Sequence, residues 1–165
     1  MNRFSAILVF AAAAIAYGPS AAGAQTHTDF CLDAERFVRD VIGMMAVVEP
    51  DTIDDWRTRA MVPGCRVTAA GATRRSDAVE ASDFYERIRE AGWVRTPDPR
   101  DAPNEASLRF RRSDADCLFN YYTLVSPLDT EAELSVSDAV FLDSGERLFN
   151  FLVMCTPAAP AAPRG

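Results

Sequence analysis

The sequence predicts an α+β domain, with two or three helices packed on one face of a four- to five-stranded, mainly antiparallel sheet stapled by two disulfides. Three observations carry that expectation. Apolar residues recur at three- and four-residue steps in the N-terminal half and at alternate positions in the C-terminal half. Turn-forming residues separate the alternating runs at hairpin distances. The four cysteines, Cys31, Cys65, Cys117 and Cys155, fall where they would join these elements in pairs.

The chain has 165 residues, a length suited to one domain. Met1 to Ala24 reads as a secretory signal peptide: Arg3 gives the positive start, Phe4 to Tyr17 the apolar stretch, and Ala22-Gly23-Ala24 the small residues before a cleavage site. The apolar stretch is 14 residues, short of the roughly 18 to 20 that span a bilayer. Cleavage after Ala24 predicts an exported domain over 25–156, followed by a disordered Pro/Ala-rich tail over 157–165. No lysine is present and all 17 basic residues are arginine, a bias that points to a GC-rich bacterial genome and to the periplasm or outside the cell.

Within the domain, Thr28 to Val48 reads as a helix with Phe30, Ala34, Phe37, Val38, Val41, Met45 and Val48 on one stripe, stopped by Pro50. Met44-Met45 reads as core filling. A second helix over Ile53 to Met61 follows the cap pattern Thr52-x-x-Asp55 and carries Trp56 as a core anchor, before Pro63-Gly64 ends it. Arg66 to Ala70 reads as a short strand. The third helix starts at Ala78 or Asp83, buries Phe84, Ile88 and Ala91, and is closed by Gly92. Trp93 to Thr96 leaves it as extended chain, and Pro97, Pro99 and Pro103 stiffen the next loop. Ser107–Arg112 and Cys117–Val125 form a hairpin around Ser113-Asp-Ala-Asp116, and Glu133–Ser137 and Glu146–Cys155 supply two further strands.

Of the three connectivities that four cysteines allow, the alternation favours one. If Cys117–Thr123 and Phe149–Cys155 run antiparallel with 117 opposite 155, then 119 faces 153 and 121 faces 151, so cysteine, aromatic and aliphatic side chains share one face. That leaves Cys31 with Cys65. Even numbers of cysteines without a CxxC or CxH spacing suit structural disulfides in an oxidising compartment rather than zinc or redox chemistry.

Composition narrows the chemistry. A net charge of −7 argues against nucleic-acid binding, which needs a basic face. The one histidine, His27, falls near the expected mature terminus, and no nucleophile elbow, HExxH motif or phosphate-binding glycine loop occurs. No cofactor, metal site or catalytic residue is therefore assigned.

Two segments stand out as candidate binding sites. The loop from Trp93 to Pro103, with Trp93, Arg95, Pro97, Pro99 and Arg100, combines stiff backbone with residue types that dominate interface hot spots. Arg109, Arg111 and Arg112 extend it as an anion-attracting patch; on a strand, 109 and 111 share a face opposite Leu108 and Phe110, which predicts exposed arginines. Beside them, Ser113 to Glu146 carries eight acidic and no basic residues. Phe119, Tyr121, Tyr122, Phe149 and Phe151 read as core.

The functional expectation is an exported, soluble, non-catalytic binding or accessory protein of the bacterial envelope, inhibiting or sequestering a basic partner. Two alternatives remain: a small hydrolase using a pair of carboxylates, and an envelope component anchored by an uncleaved first segment.

Overall fold

The computed structural model describes residues 28–96, 107–123 and 128–160. The expected cleavage site, the centre of the proline loop and the last five residues lie outside that range. Three helices pack with one six-stranded antiparallel sheet of order β1-β2-β6-β5-β4-β3. An N-terminal helical segment opens with a 3-10 turn at Asp29–Cys31, continues as α1 (Leu32–Arg36) and ends in a π-helical turn at Phe37–Val41. Then follow β1 (Met45–Asp55), β2 (Ala60–Thr73), α2 (Asp77–Glu90), β3 (Val94–Arg95), β4 (Ser107–Arg112), β5 (Ala115–Tyr122), α3 (Glu131–Asp138) and β6 (Arg147–Pro157).

Strand alternation divides the sheet into two faces. One face presents Val67 and Ala69 from β2, Phe149, Phe151 and Val153 from β6, Phe119 from β5 and Phe110 from β4. The N-terminal segment and α2 cover it with Ala34, Phe37, Val38, Phe84 and Ile88. Aromatic rings fill the middle: Phe84 stacks on Phe151 with centroids 3.8 Å apart, while Phe37 and Trp93 meet Phe119 edge-on.

Both disulfides form as the alternation predicts. Cys117 lies directly across from Cys155, Phe119 across from Val153 and Tyr121 across from Phe151. Cys31 joins Cys65, tying the N-terminal segment to β2.

Three expectations are corrected. The first helix stops at Val41, not Val48: Gly43 takes a φ of 84°, open to glycine without strain, and turns the chain into β1. The segment read as a second helix, Ile53 to Met61, is the end of β1, a turn and the start of β2, so Trp56 is on the surface. The strand expected at Glu133–Ser137 is helix α3, capped where the Thr130 hydroxyl accepts from the Glu133 N–H at 3.2 Å. α3 packs over β1 and β2 on the other face of the sheet, where its buried Glu133 accepts from the Tyr122 hydroxyl at 2.9 Å. Helices thus cover both faces, and long β1 and short β3 bring the strands to six. Past β6, the Ala158 N–H donates to the Asp114 carbonyl at 2.7 Å and the Ala159 N–H to Asp116 Oδ2 at 2.9 Å.

Candidate functional site

The β1–β2 hairpin is longer than the sheet it joins. β2 pairs with β6 from Cys65 onward, while residues 60–64 pair with β1 alone, so the hairpin ends in a two-stranded arm. The arm departs at Gly64, where β2 passes so close to Cys155 that a Cβ would lie 2.3 Å from its carbonyl oxygen. Only glycine allows that crossing.

Beyond Gly64 the arm curls over the sheet face that carries α3. Its inward side chains alternate with its outward ones. Ile53 and Asp55 are buried, and Arg57 reaches across to β5. Arg57 Nε and Nη2 donate to the two oxygens of Asp55 at 2.9 and 3.0 Å, and Nη1 donates to Asp116 Oδ2 at 2.8 Å. Arg111 adds a second fork onto Asp116, at 2.6 and 2.8 Å, and also donates to the Ala159 carbonyl at 2.7 Å. Burial alone would raise both carboxyls. The guanidinium hydrogen bonds outweigh it, from Arg57 on Asp55 and from Arg111 and Arg57 on Asp116, and hold both below the usual carboxylate range. Locked in this way, neither carboxyl carries a proton to donate near neutral pH.

The turn at the tip is equally fixed. The Thr58 and Arg59 N–H groups both donate to the Asp55 carbonyl, at 3.0 and 2.8 Å, and Arg59 is held at a left-handed φ of 56°. Such a conformation is costly for a residue with a Cβ and persists only where its surroundings impose it.

The outward side is different in kind. Pro50, Thr52 and Asp54 on β1, with Met61 and Pro63 opposite on β2, are all exposed, and so is Trp56 in the turn that follows β1. Trp56 is 43% and Met61 62% exposed, and Met61 lies directly across from the acidic Asp54. Single exposed apolar residues are ordinary on protein surfaces; here two fall at one hairpin tip, Trp56 in the turn and Met61 at the start of β2.

The sites read from the sequence are dispersed. Trp93 is core, against Phe119. Arg95 is exposed on β3, while Pro97, Pro99 and Arg100 lie outside the described residues. Arg109 and Arg111 do share a face, but they are not an exposed patch: Arg109 is 3% exposed and its charge helps keep Asp55 ionised, and Arg111 is committed to Asp116. Arg112 points to the helical face, donating to the Ala91 carbonyl and lying 5.9 Å from the centre of the Trp93 ring. So the structure joins Trp93 with Arg112 and separates both from Arg109 and Arg111.

The acidic stretch is divided too. Asp116 and Glu133 are buried, the second accepting from the Leu128 and Asp129 N–H groups as well as from Tyr122. Asp143 and Glu146 face Arg74. Asp129, Glu131 and Asp138 are exposed at α3, and Asp114 at the β4–β5 turn.

Among the described residues, no helix is long and apolar enough to cross a membrane, and no three His, Cys, Asp or Glu residues are placed to hold a metal ion. Comparison with family models, with curated proteins and with solved structures finds no match.

Proposed function

We propose that the chain is an exported, non-catalytic binding or accessory protein of the bacterial envelope, and that it grips its partner with the outward face of the β1–β2 arm. The observation that carries this reading is Trp56 and Met61 standing exposed on a tip whose backbone is fixed by the buried Asp55–Arg57–Asp116 network. A buried ion network is weak evidence for stability, because desolvation offsets most of the attraction. Its effect here is to restrain a loop, which lowers the ordering cost of binding. Export is supported by the Met1–Ala24 sequence pattern and by the two disulfides.

Asp54 gives the outward face a negative charge, while Glu49 and Asp51 lie on the opposite face of β1 beside Arg66. The complementary partner offers an apolar pocket with a basic rim. The test is photo-crosslinking of the oxidised protein in envelope extract, comparing the parent with Trp56→Ser and with Phe141→Ser, since Phe141 is exposed on a different loop. A crosslinked protein that is lost at least about ten-fold with Trp56→Ser, kept with Phe141→Ser and weakened by salt supports the reading. Equal capture by the parent and Trp56→Ser overturns it.

A further inference from the structure

The C-terminal end of the chain meets the arm at one oxygen atom. Asp116 Oδ2 accepts from Arg57 Nη1 of the arm at 2.8 Å, from Arg111 Nη2 at 2.8 Å and from the Ala159 N–H at 2.9 Å. Arg111 Nη2 also donates to the Ala159 carbonyl at 2.7 Å, so both polar groups of the Ala159 backbone are engaged. One residue earlier, the Ala158 N–H donates to the Asp114 carbonyl in the β4–β5 turn at 2.7 Å. The end therefore lies against Asp116, which is 0% exposed, while Arg57 ties the turn of the arm to the same carboxylate.

The hold on this end is of a kind that can be released. β6 ends at Pro157, which is exposed and has no N–H to give a ladder. Beyond it, Ala158 and Ala159 offer one methyl group each, so backbone hydrogen bonds rather than side-chain packing keep them seated. The seated arrangement also carries a cost. Thr156 lies directly across from Asp116 and is 1% exposed, yet its hydroxyl has no hydrogen-bond partner among the described residues. A buried hydroxyl left unpaired is uncommon and unfavourable, and water admitted by withdrawal of the end would satisfy it. Segments held by few buried contacts open locally while the core stays closed.

We infer that the C-terminal end is a clasp on the arm: with Ala158 and Ala159 seated the arm is rigid, and with them withdrawn it loosens. The coupling runs through water. With the end seated, Arg57 and Asp116 meet out of solvent, where their attraction is strong. Withdrawal wets Asp116 and removes one of its donors, so Arg57 holds the turn of the arm less firmly. The inference deepens the reading of the arm as a gripping surface and rests on it only for the consequence in binding. A ligand that captures the C-terminal end weakens the arm's grip, and a partner that tightens the arm keeps the end seated, because coupling between two sites is reciprocal.

The experiment is amide hydrogen exchange on the full oxidised chain, read at Thr58 and Arg59 in the arm's turn and at residues 67–71 in the core. Ala159→Pro removes the N–H that reaches Asp116. It should speed exchange at Thr58 and Arg59 about ten-fold and leave 67–71 unchanged. Thr156→Val removes the unpaired hydroxyl, and should slow exchange at the Ala158 and Ala159 amides by about three-fold. A substitution that only disrupts packing would not act in that opposite direction. Unchanged exchange at Thr58 and Arg59 in Ala159→Pro, or an acceleration shared equally by 67–71, overturns the clasp. The consequence for binding is read separately, in the yield of the Trp56-dependent crosslink. Loss of that crosslink in Ala159→Pro supports it, and an undiminished crosslink beside a loosened arm overturns it. If exchange responds as expected but the parent gives no Trp56-dependent crosslink, the clasp stands and the reading of the arm as a gripping surface falls.

Discussion

Replacing Arg57 by alanine tests how the arm is held. The guanidinium makes three charge-assisted hydrogen bonds of 2.8–3.0 Å to two carboxylates whose side chains are 4% and 0% exposed. Removing it leaves Asp116 with Arg111 but takes the forked partner from Asp55. Breaking a buried ion pair from one side costs about 3–5 kcal/mol, because the remaining charge stays out of water. Urea denaturation of the oxidised protein at pH 7 should show a loss of that size. The loss should shrink on acidification, with a definite sign. In the parent, Asp55 and Asp116 have depressed folded pKa values, so their stabilisation is complete above the unfolded value of about 4 and disappears as pH falls through the folded values. In Arg57→Ala, burial dominates at Asp55 and raises its pKa, so protonation relieves the variant while it weakens the parent. The two stability curves therefore converge on acidification, first as Asp55 of the variant takes up its proton above the unfolded value of about 4 and then as the parent loses its own stabilisation below it. Amide exchange across residues 56–61 should accelerate as well. A loss below about 1 kcal/mol at pH 7, or one that does not change with pH, would refute the claim that this network fixes the arm.

Two further substitutions examine the arm's root and the sheet's staple. Gly64→Ala forces a Cβ against the Cys155 carbonyl, and since backbone must move to admit it, a cost of about 1–3 kcal/mol in denaturation is expected; a neutral change would mean the arm leaves the sheet by another path. Cys117→Ala should destabilise by about 2–5 kcal/mol and release Cys155 as a thiol that non-reduced peptide mapping detects, whereas a mixed pairing of Cys155 with Cys31 or Cys65 would contradict the connectivity.

The C-terminal hairpins were legible because period-two alternation is local. Cys117, Phe119 and Tyr121 against Cys155, Val153 and Phe151 satisfy one face in a single register, and slipping by one residue would put every apolar group in water. The same logic failed at Glu133–Ser137, where E-L-S-V-S alternates yet forms a helix; the signal that decides it is Thr130-x-x-Glu133, a helix start. It failed again at Met45 and Val48, which continue the helical stripe from Phe37 and Val41, although Gly43 between them marks the stop.

By itself, then, the sequence determined the α+β class, both disulfides, the pairing of β4, β5 and β6 and the placement of α2, because each follows from short-range periodicity and cysteine position. Only the tertiary structure decided which charges are buried and which apolar groups are bare. Arg57 meets Asp116 from 59 positions away, and the buried Arg109 lies where its charge acts on Asp55 from a distant part of the chain, whereas Arg111 meets Asp116 across their own hairpin. An arginine beside an aspartate has the same composition at the surface and in the interior. What separates the two cases is whether a folded arm excludes water above them, and that depends on a backbone crossing at Gly64 that no local pattern encodes.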